Sequence, residues 1–117
     1  MYKSFTDMEV WQDANRLSLQ IFQLSSELPR SEDYGLTSQI RRSANSISAN
    51  LAEGFGRKTK RDKANFYIIA RGSAFETQSH LLYGMKVGYF EDDATKETIN
   101  EYGKLIHGLN KLIKSLT

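Results

Sequence analysis

A chain of 117 residues with a formal charge of +2 has the length of one domain, 1–117, and can bury a core without staples. It has no cysteine, which excludes disulfides, thiolate metal sites and cysteine nucleophiles. No apolar run nears the ~20 residues of a membrane span and the start MYKSFTDMEV lacks a signal core, so a cytoplasmic protein without membrane contact is expected. One proline and little strand-like alternation predict an all-helical chain.

The first helix has a clear start signal. Thr6 and Glu9 fit a capping box, with Phe5 and Val10 as its hydrophobic staple. Val10, Ala14, Leu17, Ile21, Leu24 and Leu28 recur at alternating steps of four and three, and Trp11 and Phe22 widen that face. Leu28-Pro29 is expected to end it.

Ser31 or Asp33 can cap the second helix, in the stretch Tyr34 to Arg57 around which the chain is organised. Leu36, Ile40, Ala44, Ile47, Leu51 and Phe55 make its apolar stripe. A polar stripe runs beside it: Gln39, Arg42, Ser46, Asn50, Glu53 and Arg57. Such a stripe is either a solvated flank or a hydrogen-bonded ladder at a helix or subunit contact, and its length favours the ladder. Gly54-Phe55-Gly56 is expected to close the helix through a left-handed glycine.

Thr59 with Asp62 is a cap for the third helix, about Lys60 to Val87. Phe66, Tyr67, Ile69, Ala70, Ala74, Thr77, Leu81 and Met85 form its apolar side, and Gly72-Ser73-Ala74 allows close packing on the second helix. Gly88 is the expected stop. The fourth helix follows Glu91-Asp92-Asp93, which suit a helix N-terminus. It carries two apolar seams: Ile99, Tyr102, Ile106, Leu109, Ile113 and Leu116, then Leu105 and Leu112 with Leu109 and Leu116. Either both seams form one broad core face or one serves a neighbouring subunit. Four such helices with short links predict an antiparallel up-and-down four-helix bundle.

Catalytic chemistry finds no pattern. His80 and His107 fit no zinc spacing, and Glu76 with His80 occurs once where a di-iron bundle needs repeated Glu-x-x-His pairs. Glu53 and Glu76 read as partners of Arg42 or Arg71 in structural ion pairs. No nucleophile elbow is present, and Gly54 to Thr59 fails the phosphate-loop spacing. The expectation is a non-enzyme with no catalytic residue, metal or cofactor. The remaining feature is basic: Arg57, Lys58, Lys60, Arg61 and Lys63, with Arg41 and Arg71 on adjoining helices. Residues 31–90 hold nine Lys/Arg against five Asp/Glu. In a monomer this is a solvated loop; repeated around a ring it becomes a field that can hold a phosphate backbone.

Tyr34 to Arg42 (YGLTSQIRR), Ser46-Ile47 and Asn50-Leu51-Ala52-Glu53-Gly54 with Arg57 resemble the signature of the small four-helix-bundle family encoded in intervening sequences of bacterial 23S rRNA genes. Val10-Trp11-Gln12, Gly72-Ser73 with Glu76, and Gly88-Tyr89 extend the resemblance over nearly the whole chain. It departs at Ser48, where proline is usual, and at Ser43, where alanine is usual. The resemblance implies a homopentamer and kinship with accessory proteins of diversity-generating retroelements, which bind nucleic acid and a reverse transcriptase. The combined expectation is a ring that binds RNA or DNA through Arg41, Arg57, Lys58, Lys60, Arg61, Lys63 and Arg71. The alternative is a protein-interaction scaffold, docking a partner protein on the fourth helix and the Arg42/Asn50/Glu53 stripe.

Overall fold

The computed structural model describes residues 2–117; Met1 lies outside the described residues. The described residues hold four α-helices and no strand: α1 Glu9–Ser25, α2 Leu36–Phe55, α3 Lys60–Lys86 and α4 Asp92–Lys114. They pack as an elongated antiparallel bundle of 43 × 25 × 20 Å. α2 packs most extensively on α3, α1 on α2 and α3 on α4, while α1 meets α4 thinly and α3 stands at the corner opposite α1.

The capping box lies two residues earlier than expected, on Ser4 and Asp7. Ser4 Oγ accepts from Thr6 N at 3.2 Å, and Asp7 accepts from Ser4 N at 3.1 Å, which closes a 3-10 turn over Phe5–Asp7. α1 then starts after buried Met8 without a side-chain cap. Phe5 pairs edge-on with the Trp11 ring at 5.2 Å, so the staple expected with Val10 is made to Trp11. α1 also ends before Leu28. Ser25 and Ser26 turn their hydroxyls back to Phe22 O, at 3.1 and 2.7 Å, and this competes with further helix.

Neither Ser31 nor Asp33 caps α2. Glu32 does, from a 3-10 turn over Arg30–Glu32: Oε1 accepts from Leu36 N at 3.0 Å and Oε2 from Tyr89 OH at 2.9 Å. The Leu36 N–H first, and the Tyr89 hydroxyl second, hold this carboxyl below the usual glutamate range. α2 runs unbroken through Ser48, whose hydroxyl donates to Asn45 O at 3.2 Å. Ser43 is buried and shares a hydrogen bond with Thr77 across the α2–α3 contact at 2.8 Å. At the end of α2, Gly56 is right-handed (φ −78°), and Gly54 is a buried position inside the helix. The left-handed glycine is Gly88 (φ +88°), after α3. There Tyr89 N and Phe90 N both donate to Gly84 O.

One core joins all four helices, with Leu17, Ile40, Ile47, Leu51, Leu81 and Leu109 at its centre. Both α4 seams go inward: Tyr102, Leu105, Ile106 and Leu109 are buried, and Leu112, Ile113 and Leu116 pack on the core. The broad-core reading of α4 therefore holds, and no α4 seam is left for a neighbour. The large exposed apolar residues lie elsewhere. Phe22 and Ile69, expected inside, are 56% and 50% exposed.

Tyr102 is fully buried, and its hydroxyl finds no hydrogen-bond partner among the described residues. Burial raises its pKa far above the ordinary phenol value of 10.0. The unfolded chain then ionises first, so this group's contribution to stability is whole below pH 10 and is lost as pH rises beyond it. Tyr102→Phe should raise stability by about 1 kcal/mol, since it removes an unpaired polar atom at equal shape. It should also flatten the alkaline decline. Urea melts between pH 7 and 11 check both.

Candidate nucleic-acid interface

The α2–α3 link, the start of α1 and the end of α4 share one end of the bundle. Tyr2, Met8 and Val10 line a groove with Gly108, Lys111 and Leu112, and Gly54 abuts Phe66 and Tyr67. Thr59 fixes the link by accepting from Asp62 N at 3.1 Å, which sets Lys60 and Arg61 in the first turn of α3. Lys58, Lys60 and Arg61 are exposed, and their side chains make no hydrogen bond or ion pair with the described residues.

The other basic residues are engaged. Arg57 pairs with Glu53 at 3.2 Å and lies over the Phe66 ring at 4.6 Å. Lys63 donates to Phe55 O at 2.8 Å and to Gly54 O at 3.4 Å, which satisfies the carbonyl end of α2. Both stay in the cluster, but as its supports.

Arg41 and Arg71 are not part of it. Arg41 belongs to the far half of the bundle. It donates to Ser25 Oγ at 2.7 Å, Ser26 Oγ at 3.0 Å and Phe22 O at 3.2 Å, and stacks 4.1 Å from the Phe22 ring. It closes the end of α1. Arg71 stands about 15 Å along α3 from Arg61 and donates to Asn110 Oδ1 of α4 at 2.9 Å. The topology adds residues that the linear cluster did not include: Lys111 and Lys114 in the last turn of α4, at the same end. The opposite end gathers Glu27, Glu32, Asp33, Glu91, Asp92 and Asp93, at the two links there. The bundle is thus polar along its axis.

The polar stripe lies along the α2–α3 contact. Gln39 accepts from Arg42 at 3.2–3.3 Å, Arg42 pairs with Glu76, and His80 Nε2 stands 3.2 Å from the same carboxylate. Ser73 donates to Ser46 at 3.0 Å, and Asn50 Nδ2 to Ser46 O at 2.8 Å. The ladder is half solvated: Arg42 and Glu53 side chains are 54% and 55% exposed. Among the described residues no three His, Asp or Glu side chains gather as a metal site would need. No helix is long and apolar enough to cross a membrane.

The family described as 23S rRNA-intervening sequence protein matches residues 6–111. The chain belongs to this family. A solved structure of a protein of unknown function, from the S23 ribosomal protein family of Bacteroides thetaiotaomicron, is 24% identical. The match covers 90% of this chain and 98% of that one, with a TM-score of 0.83, and so supports the fold. No functionally curated protein matches the chain. At the two positions where the sequence departs from the expected signature, the Ser43 hydroxyl shares a hydrogen bond with Thr77 and the Ser48 hydroxyl donates to Asn45 O.

Proposed function

We propose that the chain works as a non-enzymatic homo-oligomeric ring, a pentamer, that binds the phosphate backbone of RNA or DNA through the basic end of each bundle. The observation that carries this is the grouping of exposed, unengaged Lys58, Lys60 and Arg61 at one end, where cations outnumber Glu9, Glu53 and Asp62, with a cluster of six acidic residues at the other. Three cations on one subunit are a weak site. Several copies aligned about an axis sum their fields and release several counterions at once. The resemblance to the pentameric bundles of this family supports the subunit number. A nucleic-acid partner puts its site of action in the cytoplasm.

Anisotropy titrations of a labelled mixed-sequence RNA and a labelled DNA duplex test this between about 50 and 200 mM salt. Binding at the lower salt that weakens steeply at the higher supports the reading. No binding at about 50 mM overturns it. The rival scaffold reading draws on the large exposed apolar residues of α3. Its mark is a protein that co-purifies after nuclease treatment.

A further inference from the structure

Among the described residues eleven large apolar side chains are exposed, and nine of them occupy two surfaces. Seven belong to α3 and the turn that follows it, where Ile68, Phe75 and Leu82 repeat at sevens along the line facing away from the core. The other two, Leu19 and Phe22, line a groove of about 500 Å³ between α1 and α2, with Ser38, Arg41, Arg42 and Asn45 across from them and the Arg41 guanidinium over the Phe22 ring. Scattered exposed apolar residues need no explanation, but a ridge and a groove on one molecule do. Gly72 adds an independent sign. It lies on the ridge between Ile68 and Phe75, weakens the helix there, and a Cβ on it would meet nothing within 4 Å. Its own chain gives no reason for a glycine, whereas a close helix from outside would.

The two surfaces are also level. The Arg41–Ser25 and Ser43–Thr77 hydrogen bonds tie Ser25 of α1, residues 41–43 of α2 and Thr77 of α3 to the same section of the bundle. Counting back along the parallel α1 and α3, Phe22 lies about 4.5 Å before Ser25 and Phe75 about 3 Å before Thr77, so ridge and groove share one section of the bundle. Rotating a copy about an axis parallel to the bundle therefore carries ridge to groove with a slide of no more than about one helical turn. A head-to-tail contact with little axial slide closes into a ring when its rotation divides a full turn, whereas one with net slide winds into a filament.

We propose that the α3 ridge of Ile68, Phe75 and Leu82 docks into the Leu19–Phe22 groove between α1 and α2 of a second copy of this chain. The contact is head-to-tail, so each copy gives a ridge and receives one. It deepens the ring reading above and rests on it. It also keeps every Lys58/Lys60/Arg61 end on the same face of the assembly. A two-fold ridge-to-ridge contact between antiparallel helices would send those ends in opposite directions.

The test uses Phe75→Lys, which charges the ridge, and Leu19→Lys, which charges the groove, with masses read by light scattering. Both positions are exposed, so each variant should keep the parent's helical circular-dichroism spectrum and a cooperative melt, at a lower temperature than the assembled parent. Each variant alone should be a monomer. An equimolar mixture should form a one-to-one dimer and nothing larger, because one intact ridge meets one intact groove. That dimer also requires both chains to be folded. If Leu19→Lys keeps the parent mass, or the mixture stays monomeric, the pairing is overturned while the ring stands. A monomeric parent protein takes down both.

Discussion

Gly54→Leu should lower the unfolding free energy of the bundle by about 2–3 kcal/mol in a urea titration, a large effect for a substitution of glycine near a helix end. Gly54 is buried in the last turn of α2. A Cβ there would lie 2.7 Å from Tyr67 Cε1 and 3.0 Å from Phe66 Cβ, so even alanine forces α2 and α3 apart. The Tyr67 ring cannot swing aside, because it is itself 3% exposed within the core, and its burial raises the phenol pKa. The strain also reaches the basic end. Phe66 carries the Arg57 guanidinium on its face, and Lys63 holds the Gly54 and Phe55 carbonyls. Gly54→Leu should therefore weaken nucleic-acid binding too, by disordering the link that presents Lys58, Lys60 and Arg61. A variant with parental stability would show that the two helices can separate freely here.

Removing Lys58, Lys60 and Arg61 together, each to alanine, should abolish most nucleic-acid affinity, by an order of magnitude or more at about 50 mM salt. The slope of log affinity against log salt should fall by about 2–3 per engaged subunit, since each lost phosphate contact removes roughly 0.7–0.9. Thermal stability should hardly change, because these side chains have no partner among the described residues. Lys63→Ala is the contrasting variant. Its ammonium is bound to two carbonyls at the end of α2, so it should cost about 1–2 kcal/mol of stability and alter the salt slope less. Anisotropy and melting curves on the same samples separate the two behaviours. An unchanged slope in the triple variant would remove the basic end from the account.

The helices and their inward faces were legible because each obeys a simple period. Val10 to Leu24, Leu36 to Leu51 and Ile99 to Leu116 repeat at threes and fours and point where that repeat says. Termini were read less well, because side chains outside the local window decide them. Arg41, sixteen residues on, takes part in ending α1 at Ser25, and Glu32 caps α2 where Ser31 and Asp33 were the obvious choices. Glycines were ambiguous in the same way. Gly54 read as a left-handed stop and is a contact point, while Gly72 read as a contact point on α2 and faces solvent. α3 was the hardest element, because it is apolar on two sides. The sequence period puts Ile69 with Tyr67 and Ala70, and only the positions of α2 and α4 decide that Tyr67, Ala70, Ala74 and Leu81 turn inward while Ile69 does not. The basic loop was plain from Arg57 to Lys63. Its separation from Arg41 and Arg71, and its company with Lys111 and Lys114, depend on which ends the topology puts together.

The most direct measurement is the mass of the parent protein by light scattering at about 50 and 200 mM salt, with and without a mixed RNA. The account predicts a closed oligomer of fixed subunit number at both salts, held by apolar contacts, that gains RNA mass only at the lower one. A monomer at both salts, or an oligomer whose mass ignores RNA at about 50 mM, would contradict it.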